Sequence, residues 1–489
     1  MVTFTFALIA LLLGYLIYGA IVDKVFSPKD YTSSMPCYAK CDGVDYLPIS
    51  PWKVFLIQFL NIAGTGPIFG AILGILFGPA AYLWIVFGCI FAGAVHDYMC
   101  GMICVRKGGV SLPELIGDEL GMGMRILMRL CSLILLVLVG TVFITTPAAL
   151  LDNMIADQGW LWSNWFWIVI ILLYYLIATF LPIDKLIGKI YPLFGLALLI
   201  MAIGIGWHIY TAQGWLPELT DQPFVSHHPK GLPIFPMLCI TIACGAISGF
   251  HGTQSPLMAR CLTSEKYGRP IFYGSMISEG IVALIWAAAT IKFASMLPGE
   301  AGATAYEKLA SMGNPAVVVN EVSVGWMGTI GAILAVLGVV AAPITSGDTA
   351  FRSARLIAAD FLHMGQKNVW TRLALCLPLF AIATSLMFMD FNVLWRYFAW
   401  FNQTLACITL WAATVWLTRK RKAYCICLLP AMFMTVVCTS YITVAPEGFS
   451  LPYKWGLIAG FVMMVCCTVG FFIWKSKYKS QYNLNCRRP

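Results

Sequence analysis

Charged side chains are scarce in this sequence of 489 residues. They make up 11% of it, against roughly 25% in an average soluble domain. Hydrophobic residues make up 60%, and the mean hydropathy is +0.82. The chain therefore cannot cover a water-soluble surface, and a polytopic membrane protein is predicted. Long extramembrane stretches are also lacking, and none could hold a second domain.

Recognisable catalytic motifs are missing as well. Neither an HExxH pattern nor a GxSxG pattern occurs. Cysteine is plentiful, at 17 residues, but most cysteines lie within apolar runs, where a thiol behaves as a small apolar side chain. Only Cys37 and Cys41 form a close pair in a loop. We therefore expect no enzyme activity, no metal site and no organic cofactor.

Apolar runs long enough to cross a bilayer recur along the whole chain. We count thirteen predicted spans, at residues 2–22, 51–78, 80–105, 124–151, 162–182, 187–210, 232–259, 268–292, 324–351, 371–389, 391–418, 424–444 and 452–474.

Lysine and arginine are divided very unequally between the two sides of these spans. Of 31 such residues, 26 fall on one side and five on the other, namely Lys230, Lys292, Lys308, Arg396 and Lys454. Because these residues accumulate in cytoplasmic loops, the N-terminus is predicted to be extracytoplasmic and the C-terminus cytoplasmic. The same bias explains the net charge of +9, so nucleic acid is not expected as a partner.

Two spans, the second and the seventh, carry residues that interrupt helices. Residues 61–70 read NIAGTGPIFG, and residues 245–256 read GAISGFHGTQSP. Such irregular backbone is tolerated within a bilayer only where it is buried in protein or lines a cavity, and paired interruptions indicate a transporter binding site. We expect non-helical backbone near 64–67 and 249–253, with the two breaks facing each other.

The two interrupted spans are five spans apart, so they cross the membrane in opposite directions. That arrangement predicts an inverted repeat, with one unit at 51–210 and the other at 232–418. The span 2–22 precedes the repeats, and two C-terminal helices at 424–474 follow them within a single transmembrane domain. The fold expected is all-α, with about thirteen transmembrane helices, a five-plus-five inverted-repeat core and two discontinuous helices.

A broken helix presents the N-terminus of a half-helix, which favours a carboxylate. Neither break contains lysine or arginine, so backbone N–H groups and hydroxyls would hold the substrate. The substrate-binding candidates are Gly64, Thr65, Gly66, Ser248, Gly249, His251, Gly252 and Thr253.

Ionisable groups within spans are costly and are functional candidates by default. The candidates for ion or proton coupling are His96, Asp97, Glu279, Thr345, Ser346 and Asp348. The four ionisable candidates each have a structural alternative. The pair His96–Asp97 could bond Arg106 near the end of its span, Glu279 could join Ser275 and Ser278 in helix packing, and Asp348 could pair with Arg352 one turn later. Asn402 and Gln403 are interpreted as part of a wet face at the outer end of the eleventh span.

Three motifs resemble those of the carbon-starvation protein A family: IAGTGPI at 62–68, FAGAVHD at 91–97 and TSGDTA at 345–350. The resemblance implies the inverted-repeat fold of amino acid/polyamine/cation transporters. It also implies a bacterial inner membrane location and proton-driven uptake of peptides or pyruvate during carbon starvation. In the related transporters a cation lies between the first and eighth core helices, which implies a role for Thr345 and Ser346 here.

The function expected is therefore a secondary active transporter for small carboxylate-bearing nutrients, coupled to H⁺ or Na⁺. The main alternative is an ion or solute channel, although a channel does not need paired breaks related by inversion. The sequence leaves the oligomeric state and the choice between peptide and pyruvate open.

Overall fold

The computed structural model describes residues 1–28, 35–43, 45–154, 163–179, 183–299, 302–365 and 368–485, and all regular structure within them is helical. The helices are α1 Val2–Phe26, α2 Pro36–Ala39, α3 Pro51–Ile62, α4 Thr65–Phe77, α5 Ala80–Arg106, α6 Leu112–Leu120, α7 Met122–Met154, α8 Asn164–Ala178, α9 Ile183–Thr211, α10 Ile234–Thr241, α11 Gly249–Ala259, α12 Glu265–Met296, α13 Ala305–Ser311, α14 Pro315–Leu362, α15 Val369–Leu386, α16 Phe391–Arg419, α17 Cys425–Val444 and α18 Tyr453–Asn485.

Each of the thirteen predicted spans overlaps a helix or a pair of helices. Residues 162 and 180–182 of the fifth span lie outside the described part of the chain. Within the described part, nine helices are long and apolar enough to cross a membrane, and the bent pair α3–α4 makes a tenth. The chain is therefore an all-α, multi-pass membrane protein.

The first break separates α3 from α4 and lies slightly earlier than the predicted 64–67: Gly64 is non-helical, as predicted, whereas residues 65–67 already form the first turn of α4. Only Ala63 and Gly64 lie between the two helices, whose axes are bent by 44°. Pro67 is the third residue of α4, where a missing N–H costs nothing because the first turn has no intrahelical acceptor. The GTGP sequence thus ends one half-helix and starts another within the same span.

The second break separates α10 from α11 and lies earlier than predicted. Its non-helical residues are 242–248, with Gly245 at a φ of 91° that favours glycine. The stretch 249–253, expected to be irregular, instead forms the first turns of α11. Gly249 is needed there for packing, because a Cβ on it would lie 2.3 Å from the carbonyl oxygen of Asn402.

The two breaks face each other, as predicted. A Cβ on Gly66 would lie 2.6 Å from the Cys244 sulfur, and one on Gly70 would lie 3.1 Å from the Thr241 carbonyl oxygen. Both glycines therefore allow α4 to approach the second broken helix closely.

The ninth span is longer than the predicted 324–351. Helical structure runs from Pro315 to Leu362, with a kink at Gly328, whose φ is 57°. A straight helix of 48 residues would be about 72 Å long, more than twice the hydrocarbon thickness. The glycine kink therefore separates the part of α14 that crosses the membrane from a segment that precedes it.

Candidate functional site

Asp97 lies at the centre of a buried charge network that joins three spans. Its Oδ1 is 2.8 Å from Nδ1 of His96, and its Oδ2 is 2.8 Å from Nδ1 of His251. His251 Nε2 is 3.4 Å from Oε2 of Glu279. All four side chains have no solvent exposure. We call His96, Asp97, His251 and Glu279 the charge network.

Glu279 connects this network to the backbone of the second break. Its Oε1 accepts a hydrogen bond of 3.0 Å from the N–H of Gly245. Ser275 and Ser278, which share its helix face, donate to carbonyls within α12. Glu279 therefore differs from its neighbours, because its carboxylate satisfies a donor that the broken helix leaves without an intrahelical partner.

Gly93 brings α5 close enough to form the network. A Cβ there would lie 2.2 Å from the carbonyl oxygen of Ala246, within the second break. The residue ends a π-helical segment, Gly88–Gly93, one turn before His96. Such segments are frequent at functional sites.

The structure corrects the alternative in which His96 and Asp97 bond Arg106. The Arg106 guanidinium bonds Glu265 instead, at 3.0 Å and 3.1 Å. Adjacent residues diverge on a helix, but the Asp97 carboxylate has two oxygens, and each reaches a different histidine. The sequence alone could not identify the second histidine, because it lies in another span.

Asn402 caps α11, which sequence analysis missed. Its Oδ1 accepts from the Phe250 N–H at 2.6 Å and from the Ser248 hydroxyl at 3.1 Å. Neither Asn402 nor Gln403 has solvent exposure, and Gln403 Nε2 donates to the Cys239 carbonyl at 3.0 Å. The predicted wet face is therefore wrong for these two residues, which support the second break.

Two other substrate-binding candidates in α11, Gly252 and Thr253, are engaged in helix packing and hydrogen bonds within the protein. The Thr253 hydroxyl donates to the Phe250 carbonyl at 2.7 Å within its own helix. Gly252 leaves room for His96, since a Cβ there would lie 3.4 Å from the imidazole ring. The carbonyl of Gly252 accepts from the Cys100 thiol at 3.5 Å. These residues hold α11 against α5.

The first break has a different environment. The Gln58 and Asn61 amides and the Thr65 hydroxyl are buried and make no hydrogen bond to any described residue. Gly64 faces α14 and α7, because a Cβ on it would lie 3.5 Å from Ser346 Oγ and 3.9 Å from the Phe143 ring. Buried polar atoms without protein partners mark positions where ligands or ordered water bind.

The three candidates in α14 separate into different roles. Ser346 donates to the carbonyls of Asn61 and Leu60 at 3.0 Å and 3.3 Å, so it contacts the end of α3. Thr345 donates to Ala342 within its own helix, at 2.8 Å. Asp348 accepts from the Tyr191 hydroxyl of α9 at 3.0 Å. Of the three side chains, Ser346 thus contacts the first break.

A small cavity of about 230 Å³ lies between α4, α7, the first residues of α8 and α14, and the α15–α16 region. It is lined by Phe69, Thr145, Thr146, Ala149, Asn164, Asn314, Ala316, Met387, Met389, Phe391 and Leu394. Deeper along α7, Phe143 packs edge-to-face on Phe250 with ring centroids 5.9 Å apart. The aromatic pair therefore joins α7 to the second broken helix.

Comparison with protein families gives a match to the model described as carbon starvation protein CstA, over residues 1–157 and 148–308. An uncharacterized membrane protein of Haemophilus influenzae is 45% identical over 341 residues, which cover 60% of this chain and 91% of that protein.

Relatives with a named activity are more distant. Peptide transporter CstA of Campylobacter jejuni is 28% identical and pyruvate/proton symporter BtsT of Escherichia coli is 26% identical, each over 56% of this chain. The matches cover 47% and 46% of those proteins, so the chain spans about half of their length.

Among solved structures, the inward-facing conformation of Mhp1 has a TM-score of 0.51 and 16% sequence identity, covering 88% of this chain and 92% of that one. The similarity shows the fold, an inverted-repeat transporter fold with discontinuous helices. Together with the family match over more than half of the sequence, these findings show that the chain belongs to the carbon starvation protein CstA family.

Proposed function

We propose that this protein is a secondary active transporter that takes up small carboxylate-bearing nutrients, either peptides or pyruvate, and is driven by protons. The single observation that carries the proposal is the charge network, because it joins a buried carboxylate of α5 to the helix that follows the second break. The names of the Campylobacter jejuni and Escherichia coli relatives support both the substrate class and the proton.

We place the substrate carboxylate at the first break. The N-terminus of α4 carries the partial positive charge of a helix dipole, and its first N–H groups lack intrahelical acceptors. The Thr65 hydroxyl and the amides of Gln58 and Asn61 are buried and have no hydrogen-bond partner in the described residues. These groups supply donors for the substrate without a fixed charge.

The proton would act at the second break. A proton added to Asp97 or Glu279 removes a negative charge and so weakens the electrostatic attraction between that carboxylate and His251. Because His251 lies in α11 and Glu279 bonds Gly245, the change would weaken the contacts that hold the break itself and the helix that follows it. Asp348, which bonds Tyr191 away from the breaks, is the second candidate for coupling.

Reconstitution into proteoliposomes tests the proposal. Labelled pyruvate and labelled dipeptides are offered with and without an inward proton gradient, and both uphill uptake and substrate exchange are measured. We expect one substrate class to accumulate only under the gradient, and Asp97→Asn to lose accumulation but keep exchange. Accumulation that persists in both Asp97→Asn and Asp348→Asn would reject these residues as coupling groups. Equilibration without accumulation would support a channel instead.

The orientation proposed for this activity places the N-terminus outside and the C-terminus in the cytoplasm, in a bacterial inner membrane. It rests on the charge bias of the loops. Single cysteines introduced near Lys420, in the turn after α16, should be reached by membrane-impermeant reagents only from the cytoplasmic side. Labelling from outside intact cells would reverse the orientation.

A further inference from the structure

Three potential metal ligands of different chemistry converge at the second break. The Cys244 sulfur, one imidazole nitrogen of His251 and one carboxylate oxygen of Glu279 all lie within 4.8 Å of one another. The residues come from the break itself, from α11 and from α12, and all three are buried. Their spacing along the chain follows no short metal-binding motif, so the sequence predicted no metal site.

Two of these ligand atoms form an ion pair but make no hydrogen bond within the described residues. His251 Nε2 and Glu279 Oε2 are 3.4 Å apart but do not have hydrogen-bond geometry with each other or with another described residue. The remaining atoms of both side chains are engaged. Nδ1 of His251 lies 2.8 Å from Asp97, and Oε1 of Glu279 accepts from Gly245 N.

Metal sites in proteins commonly show this arrangement, in which one atom of a side chain is available for the ion and another is held by a hydrogen bond. Histidines that bind metals usually donate their other ring N–H to a carboxylate, which fixes the tautomer and orients the ring. Asp97 is placed to do this for His251. The separation of His251 Nε2 and Glu279 Oε2 also fits, because two ligands about 2.1 Å from a tetrahedral ion stand about 3.4 Å apart.

We propose that Cys244, His251 and Glu279 bind one divalent transition-metal ion of the Zn²⁺ class, with Asp97 as the supporting carboxylate. A thiolate and an imidazole select such an ion over Na⁺, Mg²⁺ or Ca²⁺, which prefer oxygen ligands. Three protein ligands leave a fourth position for water or a carboxylate. The site goes beyond the proposed transport activity and does not depend on which nutrient is carried.

Binding at this site has a defined proton balance. Cys244 must lose its thiol proton to solvent, and His251 must present a neutral Nε2, so binding of the ion releases protons. The ion would then connect α12 to the second break and to the helix that follows it. We therefore expect it to oppose proton-dependent movement there, and micromolar Zn²⁺ to slow uptake.

The test uses the full chain, purified in detergent and stripped of metal. Zn²⁺ is titrated calorimetrically, and Co²⁺ is used as a spectroscopic probe whose absorption reports thiolate ligation and tetrahedral geometry. We expect one ion per chain and a cobalt–thiolate band. Cys244→Ser should abolish the band and weaken Zn²⁺ binding at least tenfold. Asp97→Asn should weaken Zn²⁺ binding about 10–100-fold, because the carboxylate that orients His251 is lost.

Cys239→Ser is the matched control, because Cys239 is a buried cysteine in the preceding helix, α10, and lies outside the cluster. It should bind both ions as the parent does. Glu279→Gln is a second probe, since its amide oxygen can still accept from Gly245, and it should weaken Zn²⁺ binding at least tenfold. Size-exclusion profiles and thermal unfolding show which variants are folded.

The proposal is overturned if the parent binds less than one Zn²⁺ at micromolar concentration, or if no cobalt–thiolate band forms. It is also overturned if folded Cys244→Ser or Glu279→Gln retains parental affinity. Because the readout is binding of the metal alone, it separates this site from transport. A failed uptake experiment would leave the metal result standing, and the reverse also holds.

Discussion

The two broken helices solve the same structural problem in opposite ways. In the first, two residues separate α3 from α4, and buried polar groups around the break have no hydrogen-bond partner in the described residues. In the second, seven residues are irregular, and side chains from α5, α12 and α16 bond the break or the helix that follows it. The first break is short, is contacted by Ser346 of α14 and leaves three polar side chains unbonded within the described residues, whereas the second is long and is bonded by side chains from three other spans.

From this difference we propose separate tasks for the two breaks. Polar atoms that the protein leaves unbonded can exchange water for a ligand at little structural cost. Groups that bond a break from neighbouring spans instead make its conformation depend on their charge and position. We therefore expect substitutions at the second break to change stability and coupling, and substitutions at the first to change affinity.

The largest effect should come from filling the space between α5 and the second break. Gly93→Ala would place a methyl group 2.2 Å from the Ala246 carbonyl oxygen, and backbone cannot move aside as a flexible side chain can. We expect a loss of about 3 kcal/mol or more in the free energy of unfolding, measured by thermal unfolding in detergent. Gly123→Ala in α7, which has open space around it, is the control and should be neutral or slightly stabilising. Equal stability of the two variants would contradict the close approach.

A smaller loss is expected when the cap of α11 is removed. Asn402→Ala leaves the Phe250 N–H and the Ser248 hydroxyl without the acceptor that the structure gives them, at a cost of about 1–3 kcal/mol for buried groups. Asn368 caps α15 in the same manner, accepting from the Trp370 N–H at an exposed position. Asn368→Ala should therefore cost less, about 0.5–1 kcal/mol. If the exposed cap proves more costly, the second break does not depend on Asn402.

At the first break the effect should fall on substrate affinity. Thr65→Val keeps the shape of the side chain and removes a hydroxyl that has no protein partner in the described residues. We expect KM for uptake to rise about tenfold, the worth of one hydrogen bond to a charged group, with little change in unfolding temperature. The matched variant Thr253→Val, whose hydroxyl already donates within α11, should leave KM unchanged. The reverse result would move the substrate to the second break.

The smallest effect concerns His227 and His228, which lie in the loop before α10 and next to the end of α4. His227 donates its backbone N–H to the Leu76 carbonyl at the end of α4, and its ring stacks on Tyr306 with centroids 4.0 Å apart. Burial lowers the pKa of His227. The pKa of His228 is lowered mainly by burial and further by the positive charge of Lys230. The folded chain thus binds fewer protons, so stability is full above about pH 6.5 and falls as the pH decreases through that value. A double His227→Gln, His228→Gln variant should lose this dependence of the unfolding temperature.

Sequence could predict the spans and the first break because both depend on local chemistry. Apolar runs of about 20 residues and the GTGP pattern act within one segment. The predicted extent of the second break was wrong, because α11 begins where Asn402, from a span distant in sequence, accepts a hydrogen bond from the Phe250 N–H. His96, Asp97, His251 and Glu279 were each identified as polar residues at membrane depth, but their mutual contacts depend on the packing of three spans. Cys244 was not identified, since a cysteine in an apolar run has no distinguishing local signal.

The Ser346 hydroxyl bears on the choice of driving ion. Its hydrogen already satisfies the carbonyls of Leu60 and Asn61, which are oxygen ligands of the kind that an alkali cation would need. To bind Na⁺ at this position, the Ser346 hydroxyl would have to rotate so that its oxygen faces the ion. Its hydrogen bonds to the Leu60 and Asn61 carbonyls would then be lost. A proton that binds Asp97 does not require any hydrogen bond of Ser346 to break, because Asp97 contacts His96 and His251 instead. We therefore expect the Ser346 hydroxyl to disfavour Na⁺ at this position, in keeping with the proton coupling that we propose.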